Sequence, residues 1–172
     1  KCYIKSVHIE TVSILPAVIS VDVKMSSPSD FLIEIYNSEN ELILKTDKKI
    51  IEISNAKLWS AETPNLYLCK VKTKTDEIDV SFGIRELKWS AKTGLTVNGK
   101  EVLLRGGCIH HDNGILGACC YYDYEYRRVK ILKDAGYNAI RCAHNPASAA
   151  FLKACDELGM YVMDEVFDGW YI

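Results

Sequence analysis

Two apolar runs in this chain end in histidine. The first closes on His110-His111-Asp112, and the second carries Arg141 and closes on His144. In a parallel strand–helix–strand unit both strands emerge on one edge of the sheet, so residues far apart in sequence come side by side. That edge is where parallel α/β folds place their ligand sites. Three readings are open. The histidines could line a polar loop edge that holds nothing. They could ligate zinc together with Cys108, although this needs a fourth ligand and no short-spacing ligand pair supplies one. Or they could form part of a ligand pocket. Three histidines converging beside Arg141 and Asp112 weigh against the first reading.

The positioning elements follow from pattern. Residues 103–110 read as a strand and 121–136 as a helix, with Val129, Leu132 and Ala135 at helical spacing. Arg127, Arg128, Lys130 and Lys133 supply its wet side, and Gly136 suits its end. Residues 138–143 form the second strand. Residues 147–158 form a second helix, with Ser148 near its start, Phe151, Leu152 and Cys155 on one face, and Gly159 as its stop. Residues 160–166 form a third strand. Near-continuous apolar strands alternating with helices predict a parallel sheet covered by helices.

The chain before this unit is all β. Strands are expected over 18–23, 31–36, 42–45, 49–54, 66–73 and 78–84, after an apolar series through Val7, Ile9 and Val12. About seven short strands punctuated by turns predict an immunoglobulin-like β-sandwich over residues 1–87, without the Cys–Trp–Cys spacing of true immunoglobulin domains. Within LWSAETPNLY, Trp59 is expected to anchor a loop by packing. Asn98-Gly99 between two apolar stretches is a hairpin signal, because both residues of a type I′ turn take positive φ. Residues 88–94 mark the expected boundary, and 88–172 the second domain.

Three strands and two helices are too few for a closed α/β fold. A (β/α)8 barrel takes roughly 250 residues. The pattern predicts a sandwich followed by an unfinished α/β unit of three β-strands and two helices, which could be the first third of an incomplete (β/α)8 barrel, with open edges that invite self-association through exposed strands.

Composition narrows the function classes. Over 172 residues, 48% hydrophobic and 26% charged content is ordinary for a globular protein. A net charge of −2 gives no electrostatic footprint for nucleic acid or an anionic membrane. No apolar run approaches the length of a membrane span. Lys1 opens directly on strand-like sequence with no signal-peptide pattern, as in an excised piece or a mature product. Seven cysteines with no CxxC pair predict reduced, buried thiols rather than a disulfide framework.

The series LWSAETPNLY, FGIREL, LTVNGKEVLLRGGCIHHD, NAIRCAHNP and CDELGMYVMDEVFDGW closely resembles glycoside hydrolase family 2, from Trp59 to Trp170. That family includes β-galactosidases, β-glucuronidases and β-mannosidases. The resemblance implies a jelly-roll domain before residue 1 and the remainder of a TIM barrel after residue 172. It also implies retaining hydrolysis of terminal β-glycosides, with two glutamates on later barrel strands and no catalytic residue in this chain. Two carboxyls ~5 Å apart would then flank the scissile bond.

By motif position, His110 and His144 match the family's substrate-contacting histidines. Neutral imidazole donates to or accepts from hydroxyls. Arg141 matches the arginine of the family's pattern, where a guanidinium holds a nucleophilic carboxylate ionised. Asp112 is suited to grip a hydroxyl pair, and Glu165 takes a supporting role. The chain departs from well-known members at His111 and Asn145. The implied partner is a β-linked sugar or oligosaccharide, with no nucleic acid and no membrane. No cofactor is required by the residues present, and the resemblance leaves room for a divalent cation in the full-length parent. A non-catalytic carbohydrate-binding or scaffold module is the alternative, and a scaffold role is the expectation for residues 1–87.

Overall fold

The structure is a computed structural model that describes residues 2–167. The chain forms two compact units. One comprises Lys1–Ser60 with Asn65–Glu101, and the other Ala61–Pro64 with Val102–Ile172.

The first unit is a two-sheet sandwich. One sheet has the order β1-β2-β5, from strands Ile4–Ile14, Ala17–Met25 and Ile50–Glu52. The other has the order β4-β3-β6-β7, from Leu42–Thr46, Leu32–Tyr36, Tyr67–Lys72 and Glu77–Phe82. All pairings are antiparallel. The period-two pattern does what it should: Ala17, Ile19, Val21 and Val23 of β2 are buried, as are Ile51 and Ile53. Ile33, Ile35, Cys69, Val71 and Ile84 complete the core.

Tyr67 opens β6, and its hydroxyl accepts from the Lys57 N–H at 2.7 Å. It stands two residues before buried Cys69. The arrangement is similar to the tyrosine corner of immunoglobulin-like sandwiches, here with the hydroxyl tying down backbone ten residues upstream. The sequence reading did not single it out.

Trp59 is the anchor expected of it. It is buried, the Arg85 guanidinium lies 4.6 Å from its ring centroid, and its N–H donates to the Ile84 carbonyl at 2.8 Å. A Cβ on Gly83 would come within 2.8 Å of the Trp59 side chain, so glycine is required there. The expected hairpin also forms, with Asn98 at φ 52° and Gly99 at φ 76°. It joins β9, Gly94–Val97, to β10, Lys100–Glu101, and β9 also pairs with β8, Leu87–Ser90. Residues 88–94 thus contain a strand as well as a turn. The division by compactness falls after Glu101. The Asn98 side chain fixes the hairpin to this unit, donating to the Trp59 carbonyl at 3.0 Å and accepting from the Glu86 N–H at 2.9 Å.

The second unit runs β11 (Gly106–Ile109), α1 (Tyr122–Asp134), β12 (Ala139–Cys142), α2 (Ala149–Leu158) and β13 (Tyr161–Asp164). The strands form one parallel sheet in the order β11-β12-β13. Val129 of α1 and Phe151, Ala154 and Cys155 of α2 pack with Ile140, Cys142 and Met160. Ser148 caps α2, its hydroxyl accepting from the Phe151 N–H at 3.1 Å, and Gly159 ends it at φ 73°.

Several expectations need correction. The first strand starts at Gly106 rather than 103. Asn138 takes over the preceding backbone, accepting from the Arg105 N–H at 2.7 Å and donating to the Leu103 carbonyl at 2.9 Å. Helix α1 is capped by Ala135, with Gly136 one position beyond at φ 90°. Ala135 is exposed, so the apolar stripe of α1 ends a turn early. Lys133 does not face solvent freely: its amine donates to the carbonyls of Ala61 and Gly159 at 2.6 and 2.7 Å, and burial lowers its pKa. Of the free cysteines only Cys69, Cys142 and Cys155 are buried, whereas Cys108 and Cys119 are exposed. Asp168–Ile172, including the Trp170 of the quoted motif, lies outside the described residues.

Candidate functional site

The parallel register determines what meets at the sheet edge. Cys108 lies opposite Arg141, which lies opposite Met163, and Ile109, Cys142 and Asp164 share the next row. The residues that follow each strand therefore leave the sheet together. Gly106 makes this register attainable, because a Cβ there would lie 1.7 Å from the Ala139 carbonyl oxygen.

Four of the five expected site residues converge on this edge. The rings of His110 and His144 lie 5.5 Å apart, tilted by 56°. The Glu165 carboxylate joins the other two. Its Oε1 accepts from both Nε and Nη2 of Arg141, and its Oε2 lies 3.4 Å from His144 Nδ1. Arg141 Nη1 also reaches Cys108 Sγ at 3.6 Å. The hydrogen bonds from the guanidinium to the Glu165 carboxylate raise the Arg141 pKa above its ordinary value. Glu165 is the least exposed member, its side chain 19% exposed against 46% for Arg141 and 40% for His144. The carboxylate is thus a half-buried hub, and the nitrogen-bearing groups around it reach solvent. Such an arrangement offers donors and acceptors to polyhydroxyl ligands without a net charge at its centre.

Asp112 stands apart from this cluster. Its Oδ1 accepts from the Gly114 N–H at 2.9 Å, which closes the turn after His110. Asp164, at the end of β13, was not anticipated. Its Oδ1 accepts from the Ala147 N–H at 2.9 Å and so ties the segment after His144 to the neighbouring strand. The adjacent Asp-Glu pair in the sequence was a usable signal, since consecutive residues leaving a strand face opposite ways. As for metal, among the described residues no group of three or more His, Cys, Asp and Glu side chains lies close enough to hold an ion. Among the described residues no helix is long and apolar enough to cross a membrane.

Comparisons with known proteins bear on both units. Residues 2–85 match the model for glycosyl hydrolases family 2, and residues 90–168 match the model for the TIM barrel domain of the same family. The chain is 35% identical over 170 residues to a putative β-glucuronidase of Formosa agariphila, covering 90% of this chain and 16% of that protein. It is 38% identical over 125 residues to a β-galactosidase of Bacteroides ovatus, covering 70% and 15%. Among solved structures, a family 2 member from Bacteroides cellulosilyticus superposes with a TM-score of 0.85 at 33% identity, over 99% of this chain and 27% of the other. A β-glucuronidase of Faecalibacterium prausnitzii superposes with a TM-score of 0.88 at 25% identity, over 96% and 28%. The chain thus spans about a sixth of the length of the curated relatives it matches. With a sandwich and a β/α unit both matched, in order, by models of a single family, the chain belongs to glycosyl hydrolase family 2.

Proposed function

We propose that this chain forms one wall of the sugar pocket of a longer, retaining β-glycosidase that removes terminal β-linked sugars. In this reading β11, β12 and β13 are the first three strands of a (β/α)8 barrel, entered through α1 and α2 as its first two helices. Residues 88–172 belong to that barrel and residues 1–87 are a scaffold module. His110 and His144 contact sugar hydroxyls. Arg141 and Glu165 form an ion pair that orients His144, and Asp112 shapes the loop and presents its second oxygen to a hydroxyl. The acid/base and nucleophile glutamates lie on strands beyond Ile172.

The observation that carries this reading is the Glu165 carboxylate bridging Arg141 and His144, with His110 alongside, at the ends of three parallel strands. Hydroxyl contacts held by such preorganised groups tighten as charge develops at the anomeric carbon and so lower the barrier. The Arg141 charge is already met by Glu165, which supports a neutral sugar such as a β-galactoside over a uronate. The relatives that bear on the choice are a β-galactosidase and a putative β-glucuronidase.

The test is turnover of 4-nitrophenyl β-galactoside and 4-nitrophenyl β-glucuronide by the parent enzyme and by the 172-residue chain. The parent is expected to cleave the galactoside with retention of configuration, and the short chain to cleave neither. Turnover by the short chain would falsify the assignment of both glutamates to strands outside it. A parent that cleaves only the glucuronide would overturn the neutral-sugar reading.

A further inference from the structure

The loop that carries His110 is fastened to helix α1 by side chains to which the proposed reading gives no role. Glu125 is 1% exposed although it sits in a charged stretch of helix. Its Oε1 accepts from the Asn113 amide at 3.0 Å, and its Oε2 lies 3.3 Å from Arg128 Nη1. The same Arg128 Nη1 donates to Asn113 Oδ1 at 3.2 Å, and Nη2 donates to the backbone carbonyl of His110 at 2.8 Å. That carbonyl also accepts from the Asp112 N–H at 2.8 Å.

Each part of this arrangement has a physical reason. A buried carboxylate needs a charged partner and further hydrogen bonds, and Arg128 and Asn113 supply them. The planar guanidinium can grip a carboxylate, an amide oxygen and a backbone carbonyl at once, whereas the point charge of a lysine cannot. Val129, next to Arg128, is fully buried and fixes that side of α1 against the sheet. The loop itself contains only a single 3-10 turn, Gly114–Leu116. Its hold on a rigid element therefore runs through Arg128 and Asn113.

We propose that Arg128, charge-balanced by buried Glu125 and bridged by Asn113, is the positioning residue for His110. It fixes the His110 peptide, and with it the stance of the imidazole beside His144, without touching the sugar. This rests on the reading of His110 as a sugar-contacting residue. A misplacement on the order of 1 Å at such a group costs about 100-fold in rate.

The test uses the parent enzyme with Arg128→Lys, which keeps the charge opposite Glu125 but loses the fork. A paired Glu125→Gln, Arg128→Gln variant, which removes both charges together, covers the case in which the single change does not fold. Two readouts are taken: amide hydrogen exchange over residues 110–121 and 149–158, and kcat/KM on 4-nitrophenyl β-galactoside in a cycle with His110→Ala. Exchange is expected to accelerate over 110–121 and stay unchanged over 149–158. kcat/KM is expected to fall about 10-fold or more, with little further loss when His110→Ala is already present. Unchanged loop exchange, equal acceleration in both segments, or kinetic losses that add in full would each overturn the proposal. If the parent cleaves no aryl β-glycoside, or His110→Ala leaves kcat/KM unchanged, the sugar reading fails. The exchange result then decides alone whether Arg128 holds the loop.

Discussion

Glu34 of the sandwich unit and Glu165 of the β/α unit each sit between two nitrogen bases, and the two clusters differ in how completely they close. Glu34 is 6% exposed on β3. Lys72 lies 2.8 Å and Lys45 3.0 Å from its oxygens, and the Tyr36 hydroxyl donates at 2.9 Å. Lys45 is its register partner on β4, so the cluster is made by cross-strand pairing within one sheet. The lysine stems cover the carboxylate, and Lys72, then Lys45 and Tyr36, hold its pKa down to about 2. Both carboxylate oxygens have a partner, Lys45 on Oε1 and Lys72 with Tyr36 on Oε2. Glu165 instead lies past the end of its strand. Its partners reach it from the same sheet edge, and both Arg141 and His144 keep a large exposed surface. The first cluster serves the sheet. The partner cations are about equally exposed in the two clusters; what differs is the carboxylate, whose side chain is 8% exposed at Glu34 and 19% at Glu165.

The largest expected contrast is kinetic. Glu165→Gln in the parent enzyme should lower kcat/KM by about 100-fold through loss of the Arg141 and His144 alignment, while Tm stays close to that of the unaltered enzyme. A large fall in Tm with unchanged kcat/KM per folded molecule would put Glu165 in the same class as Glu34.

Next in size is a purely structural change in the sandwich. Tyr67→Phe leaves the Lys57 N–H without its acceptor and should cost about 1–3 kcal/mol in urea unfolding, with kcat/KM unaltered. A neutral result would mean that the corner adds no stability here.

The smallest effect is the acid response of Glu34. Its folded pKa lies below the ordinary carboxyl value of 4.5, so its contribution to stability is full above that pH. It is lost as pH falls from about 4.5 toward 2. Comparing unfolding midpoints of the unaltered protein and Glu34→Gln between pH 7 and pH 3 should show a gap that narrows with acid. A gap independent of pH would mean that the lysines do not set the titration.

How much of this was legible in the sequence depended on whether a residue's partner was local. Asn98-Gly99, Ser148 and Gly159 act through their own neighbouring backbone, and all were readable. His110 and His144 were readable because strand parallelism follows from the alternation of strand and helix. Arg128 and Lys133 were read as solvent-facing, since a charge on a helix is placed outside unless something nearby claims it. Arg128 has one local partner, Glu125, but its others are Asn113 and the His110 carbonyl, and those of Lys133 are the Ala61 and Gly159 carbonyls, all distant in sequence. Leu103–Arg105 looked like strand because the Asn138 side chain, which replaces part of the ladder there, leaves no mark in an apolar pattern. Tyr67-Leu68-Cys69 has the tyrosine-to-cysteine spacing of a tyrosine corner, so this contact left a local mark in the sequence.

The account rests on the strand-end cluster being a wall of a sugar site, and His144→Ala in the parent enzyme tests this most directly. kcat/KM on 4-nitrophenyl β-galactoside, measured beside a thermal melt, should fall roughly 10- to 100-fold with Tm unchanged, because the lost imidazole removes contacts that tighten toward the transition state. Unchanged kcat/KM at unchanged Tm would remove His144 from the site and contradict the account.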